Sequence, residues 1–156
     1  MIFTFTFLWP FKECLINKKN VPESKIIYIP NGGDFDLIQP GEKENYVRKQ
    51  YGISGKFVVG YFGACGKANH LIQIIEAAEL LQQHKEIVIL IVGDGMEKPM
   101  LVSEAEKLKL KNIIFIDQQP KAIIKDFINA TDVSIAVLQK NDTFKTVYPN
   151  KVFDYM

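Results

Sequence analysis

Histidine and cysteine are scarce in this sequence, two of each in 156 residues, and that scarcity removes whole classes of chemistry. Cys14 and Cys65 follow no spacing rule for a disulfide framework, which fits a reducing cytoplasm. His70 and His84 stand apart from both in spacing and context, so no metal-ligand cluster is expected. Net charge is nearly absent: 19 basic residues offset 18 acidic ones, leaving +1, which excludes nucleic acid as a partner through bulk electrostatics. Long apolar runs are missing too. Met1 to Trp9 is apolar and uncharged but too short to span a bilayer, and it lacks the basic start and cleavage site of a signal peptide. Its Thr-Phe alternation predicts a buried strand without a partner of its own, a hint of preceding chain.

What is present is a core and a rhythm. An apolar content of 47% in a chain of one-domain length supports a packed interior. Ile26–Ile29 predicts a short strand, broken by the turn residues Pro30-Asn-Gly-Gly33. Glu42 to Tyr51 predicts a charged helix ending near Gly52. Lys56–Phe62, Ile87–Val92, Asn112–Ile116 and Val133–Val137 predict four buried strands. Between them lie three helices: Leu71 to Gln83, with Leu71, Ile74, Ile75, Ala78 and Leu81 on one face; a charged helix to about Leu110, with Leu101, Ala105 and Leu108 inward; and Pro120 to Ala130. Strands apolar along nearly their whole length, alternating with helices, indicate an α/β fold: a Rossmann-like parallel sheet with helices on both faces. Right-handed crossovers then gather the strand-to-helix loops on one edge, at Gly63 to His70, Gly93 to Met96, Asp117 to Pro120 and Leu138 to Pro149. A nucleotide is the commonest occupant of a crevice there, although the fold alone does not establish one.

The candidate sites carry unequal signals. Gly63-Ala-Cys-Gly66-Lys67-Ala-Asn69 lacks both the G-x-G-x-x-G and the P-loop spacing, and fits a plain strand-to-helix turn better than a bare phosphate loop. Gly93-Asp94-Gly95 is a routine strand-end turn. Cys65 has no base beside it in sequence and reads as a small space-filling thiol. His70 reads as an ordinary loop residue. Asp142 and Asp154 form no convincing acid/base pair, and no complete catalytic constellation emerges.

The most telling stretch is Thr146-Val-Tyr-Pro-Asn-Lys-Val-Phe-Asp154-Tyr-Met156. Here Asn150 is expected to cap a helix, with Lys151 in its first turn and Asp154 one turn on. A helix N-terminus offers unpaired N–H groups and a partial positive charge, and so suits a phosphate. Lys151 would meet phosphate and Asp154 would accept from sugar hydroxyls. A solvated, ordinary helix start is an equal reading of the same residues.

The order of these segments resembles the C-terminal, donor-binding half of GT-B retaining glycosyltransferases, the glycosyl transferases group 1 family, and looks closest to members acting on amino sugars or cell-envelope polysaccharides. The matching stretches are Pro22-Glu-Ser-Lys-Ile-Ile-Tyr-Ile-Pro-Asn-Gly32 with Asp34 and Phe35, Tyr61-Phe-Gly-Ala-Cys-Gly-Lys-Ala-Asn69, and Ile91-Val-Gly-Asp-Gly95. Asn112-Ile-Ile-Phe115, Ala130-Thr-Asp-Val133 and Pro149-Asn-Lys-Val-Phe-Asp-Tyr-Met156 continue them. The resemblance implies that residues 1–36 are the remnant of an acceptor-binding domain and its interdomain connection. Residues 37–156 would then be a nucleotide-sugar-binding domain cut short at its C-terminus.

It also implies a set of donor-binding residues. Gly63, Gly66, Lys67 and Asn69 would lie beside the donor pyrophosphate, with Gly93 nearby. The backbone around Ile116, Asp117 and Gln118 would flank the nucleobase. Many family members carry Arg and Lys where this chain has Ala64 and Asn69, and Lys67 and Lys151 are the candidates to replace that charge. The family's carboxylate pair falls at Thr146 and Asp154: Asp154 matches the residue that holds the ribose, whereas Thr146 departs from the pattern and puts the sugar contact in doubt. Lys151, on the helix begun at Asn150, would stabilise the departing diphosphate. The implied reaction is sugar transfer with retention from a nucleotide-sugar, a UDP-sugar being the expected donor. No cofactor or metal is expected, and the acceptor would be a sugar or a lipid-linked sugar. The implied setting is cytoplasmic, with peripheral association of the full-length protein at the inner face of the membrane, and this piece alone would be inactive. A non-catalytic nucleotide-binding module and a nucleotide-sugar epimerase of the same architecture are the competing readings.

Overall fold

A computed structural model describes residues 4–6, 9–142 and 144–156 of the chain. Two sheets form. The smaller pairs β1 (Thr4–Thr6) with β2 (Ile26–Tyr28) in parallel, joined by helix α1 (Trp9–Lys19). The strand expected from Met1 to Trp9 is therefore shorter, since Trp9 already opens α1; Met1–Phe3, Phe7 and Leu8 lie outside the described residues. Its partner, thought to be lacking, is β2, with Thr4 opposite Ile26 and Thr6 opposite Tyr28. Helix α1 itself went unforeseen because its residues show no hydrophobic periodicity.

The larger sheet is the expected one, four parallel strands in the order β5-β4-β3-β6. These are β3 (Phe57–Phe62), β4 (Ile87–Val92), β5 (Ile113–Ile116) and β6 (Val133–Ser134). Relabelled from the first of them the order is 3-2-1-4, the doubly wound arrangement in which the chain reverses direction beside its first strand. Strand β4 shows why both faces are covered. Val88, Leu90 and Val92 point into one core with Val58, Phe62 and Ile116, under α2 (Tyr46–Gln50) and α5 (Lys121–Asn129). Ile89 and Ile91 point into the other with Tyr61 and Cys65, under α3 (Ile72–Leu80) and α4 (Lys98–Lys107). A period of two with both faces apolar can only be satisfied by helices on both sides.

Several elements differ in extent from the reading of the sequence: α3 ends at Leu80 and not at Gln83, and α2 and β6 differ for identifiable reasons. Helix α2 begins at Tyr46 and not at Glu42, because the Asn45 side chain accepts a hydrogen bond from the Val47 N–H at 3.0 Å and caps it there. Strand β6 stops at Ser134 and not at Val137. Past that point the Phe62 N–H of β3 donates to the Tyr155 hydroxyl at 3.2 Å, so a side chain from α6 (Asn150–Tyr155) stands where the ladder would have continued. Among the described residues, no helix is long and apolar enough to cross a membrane.

Candidate functional site

The C-terminal ends of β3, β4 and β5 open into a cavity of about 390 Å³, closed on its other sides by α5 and α6. The loops that form its floor are bound to one another. The Gly63 N–H donates to Val92 O at 3.0 Å, Gly93 N–H to Ile116 O at 3.0 Å, and Cys65 N–H to Asp94 O at 2.8 Å. Gly93 has φ +151°, and a Cβ there would sit 1.9 Å from the Gly63 carbonyl oxygen, so only glycine lets the two strand ends approach this closely. The turn read as routine is thus a close backbone crossing.

Lys98, which attracted no notice in the sequence, fastens these loops from below. Its ammonium donates to Gly93 O at 2.9 Å, Ile116 O at 3.2 Å and the Asp117 carboxylate at 2.6 Å. It leaves α4 in the first turn, where a lysine is disfavoured by the helix dipole, and three oxygens compensate it. Asp117 is therefore committed to Lys98 and lies off the cavity lining, as does Ile116.

Lys151 enters the cavity from α6. Its ammonium donates to the Tyr61 hydroxyl at 2.7 Å and stands 3.9 Å from the centre of that ring. Tyr61 in turn donates to Ala64 O at 2.8 Å. Burial pulls the Lys151 pKa down to about 8, with the Cys65 thiol opposing weakly. Burial also pushes the Tyr61 phenol up, and it keeps its proton at any physiological pH. A Cβ on Gly63, whose φ is +139°, would come within 2.9 Å of the Lys151 nitrogen. One helical turn after Lys151, Tyr155 packs edge-on against Phe62 with ring centres 5.8 Å apart. The short helix thus straddles the end of β3, with Lys151 over Tyr61 on one side and Tyr155 against Phe62 on the other.

Of the residues singled out in the sequence, the structure brings Gly63, Gly93, Lys151 and Asp154 together around this cavity. Gly66, Lys67 and Asn69 lie off its lining. Lys67 opens an exposed 3-10 turn (Lys67–Asn69), and Asn69 donates to Ala64 O at 2.9 Å, bracing the loop from outside. Asn150 does not cap α6: Pro149 holds the N-cap position with no side-chain bond, and Asn150 is the first helical residue. A proline ahead of it, with φ fixed at −62°, already sets the entry of the helix. Thr146 closes a 3-10 turn (Phe144–Thr146), and its side chain lies outside the described residues. His70 is an exposed loop residue, and Cys65 is fully buried in the core, its thiol pushed up by burial.

Lys121 and Gln119 attracted no notice in the sequence, and Asp94 and Gln118, which did, also line the cavity. Lys121 stands at the mouth, paired with Asp34 at 2.8 Å, and the Asp34 partnership raises its pKa, with Asp154 adding a smaller effect. Asp94, Gln118 and Gln119 line the wall, and Tyr155 adds its ring. Lys121 begins α5 directly after Pro120, and a lysine at an exposed helix start carries nothing that distinguishes it from a solvated side chain. Among the described residues, no group of three His, Cys, Asp or Glu side chains is placed to hold a metal ion.

Solved glycosyltransferases share this fold. Anabaena HepE, in complex with UDP and glucose, superposes with a TM-score of 0.72 at 19% identity over 87% of this chain and 38% of that one. WaaG, a glycosyltransferase involved in lipopolysaccharide biosynthesis, gives 0.71 at 16% identity over 86% of this chain and 37% of that one. The C-terminal domain of LpcC, a glycosyl transferase group 1 family protein from Francisella tularensis, gives 0.60 at 24% identity over 70% of this chain and 60% of that one. The chain thus spans well under half the length of HepE and WaaG. No curated protein matches it in sequence. The model of the glycosyl transferases group 1 family matches residues 43–144, well over half of the chain, and the chain belongs to that family.

Proposed function

We propose that this chain is the donor-binding part of a retaining glycosyltransferase that takes a hexose or related sugar from a nucleotide-sugar, a UDP-sugar first of all. The observation that carries the reading is Lys151: a half-buried ammonium on the wall of the strand-end cavity, held among the described residues by a neutral hydroxyl and ring and not by a carboxylate. A desolvated cation without a counter-ion favours an anionic ligand. The complex of HepE with UDP supports a uridine diphosphate as that anion.

In this reading the diphosphate lies against the Gly63-Ala64 backbone and Lys151, which stabilises the charge that develops as the bond to the sugar breaks. Asp154 accepts from ribose hydroxyls, and the chain at Gln118 and Gln119 flanks the base. Residues 1–36 belong to the acceptor-binding side and its connection. The acceptor is a sugar or lipid-linked sugar of the cell envelope, a setting suggested by WaaG, and the full-length protein works in the cytoplasm at the inner membrane face. The nucleotide-sugar is a substrate, and the reading includes no resident cofactor or metal.

Thermal unfolding with millimolar UDP or GDP tests it. A ligand present at about 100 times its Kd adds about 2.7 kcal/mol to the folded state. We expect UDP to raise the transition and Lys151→Ala to abolish the rise while leaving the unliganded melt in place. A cooperative melt that neither nucleotide moves would sink the reading and favour a module that binds something else.

A further inference from the structure

Tyr61 points inward from a strand, as a core residue should, and its ring belongs to the core under α3 and α4. Its hydroxyl is nevertheless engaged in a directed relay: the Lys151 ammonium donates to it at 2.7 Å, and it donates onward to Ala64 O at 2.8 Å. The phenol proton is spent on the carbonyl, so the oxygen offers Lys151 a lone pair, and the ring below adds its negative face at 3.9 Å. Two of the three ammonium protons remain for something else. Gly63 makes the approach possible, because a Cβ there would crowd the Lys151 nitrogen at 2.9 Å.

A carboxylate in the place of Tyr61 would hold the lysine as firmly, but it would also cancel the charge. A neutral hydroxyl orients without neutralising. From this geometry, and resting on the donor-binding reading above, we propose that Tyr61 is a positioning residue. It holds Lys151 over the Gly63 turn and keeps it protonated and uncompensated for the diphosphate.

Among the described residues, no other charged or titratable group around Lys151 makes a hydrogen bond or ion pair with it. Cys65, on the loop after β3, has its thiol raised by burial. Asp94 on the loop after β4 is exposed, and its carboxylate accepts from the Gly95 N–H at 2.9 Å. Lys121 on α5 is paired with Asp34, and Asp154 and Tyr155 belong to α6 itself.

The test is a titration of Lys151, read by NMR on protein carrying 13C-labelled lysine and assigned with Lys151→Ala, alongside UDP affinity from pH 6.5 to 9.5 by calorimetry. In the unsubstituted protein the Lys151 midpoint is expected near 8. A hydrogen bond accepted from the charged form favours that form, so Tyr61→Phe, which keeps the ring and loses the oxygen, should move the midpoint down by about 0.5 to 1 pH unit. UDP affinity at pH 7 should fall roughly 3- to 10-fold, and its decline with pH should begin correspondingly earlier.

An unchanged midpoint in Tyr61→Phe overturns the proposal whether or not UDP binds. So does the absence of a Tyr61 ring-current shift on the Lys151 side-chain signals of the unsubstituted protein, a measurement that needs no variant to fold. A shifted midpoint with no UDP binding to the unsubstituted protein leaves the positioning of Lys151 standing and removes the donor reading instead.

Discussion

Strand β3 has a cation drawn out of solvent at each end, Arg48 buried and Lys151 half-buried, and the two are treated in opposite ways. At the entry, Arg48 is 1% exposed and every part of its guanidinium has an oxygen: Ala130 O at 2.8 Å, Lys56 O at 2.9 Å, Glu44 at 2.8 Å and Asp132 at 2.7 Å. Asp132 also accepts from Lys43 and from the Val58 N–H, so α2, β3 and the start of β6 are tied through one group. At the exit, Lys151 meets a neutral hydroxyl and an aromatic ring. The entry is closed in charge as well as in geometry. The exit is closed in geometry alone, and what a cation lacks there a bound anion can supply. Burial by itself does not separate a structural charge from a binding one; the nature of its partners does.

Removing the closed end should have the larger effect. Arg48→Met leaves two carbonyls and two carboxylates without their donor and should cost about 3–5 kcal/mol in urea unfolding. The fraction still folded should bind UDP as before; a loss of affinity in the folded fraction would show that the two ends are coupled.

The pH dependence separates them next. The Lys151 pKa is lower folded than unfolded, so the unfolded chain binds the extra proton between about 8 and 10.5, and its contribution to stability improves as pH rises through that window. Affinity for UDP runs the other way, falling above pH 8 by up to about tenfold per unit as the ammonium loses its proton. Asp132 acts in acid. Burial pushes its carboxyl up, but Lys43, the Val58 N–H and Arg48 outweigh that and the net shift is downward. Its stabilisation is complete above the ordinary carboxyl range, about 3.9, and is lost as pH falls through the lowered value. Denaturation midpoints across pH, with UDP affinity measured in parallel, should show acid weakening the fold and alkali weakening the ligand.

A smaller effect tests how α6 is held. Tyr155→Phe keeps the ring contact with Phe62 but strips the acceptor from the Phe62 N–H, and should cost about 1–2 kcal/mol by denaturant titration. A cost near zero would mean that the ring alone docks the helix. Smallest of all should be Asp34→Asn, which opens the exposed pair with Lys121 at the cavity mouth. Such pairs are screened by salt, so the denaturation midpoint should not move and any change in UDP affinity should vanish at high ionic strength.

The four strands of the main sheet were legible as short, nearly continuous apolar runs, β4 apolar and buried almost throughout, and helix α3 by apolar residues three to four apart that are buried on one face. Helix α1 was not, since its residues carry no such period. Strand β6 was read three residues too long because Ile135 and Val137 are apolar and still pack on the core after leaving the ladder. At the site, Lys151 and Asp154 stood out by spacing on one short helix. Asn150 was read as the cap because Asn favours that position, whereas Pro149 takes it. Lys98 and Lys121 were invisible: a lysine at a helix start looks solvated until a strand end or a loop from elsewhere arrives beside it.

Local chain chemistry therefore dictated the alternation of strands and helices, the parallel sheet with two covered faces, and the edge on which the loops collect, because periodicity and turn residues act over a few neighbours. Which charges are satisfied and which are left for a ligand was decided only by the tertiary structure. Tyr61 and Lys151 are ninety positions apart in the chain and 2.7 Å apart in space, and no pattern of neighbours encodes a contact that exists only once the sheet has closed and α6 has docked on its end.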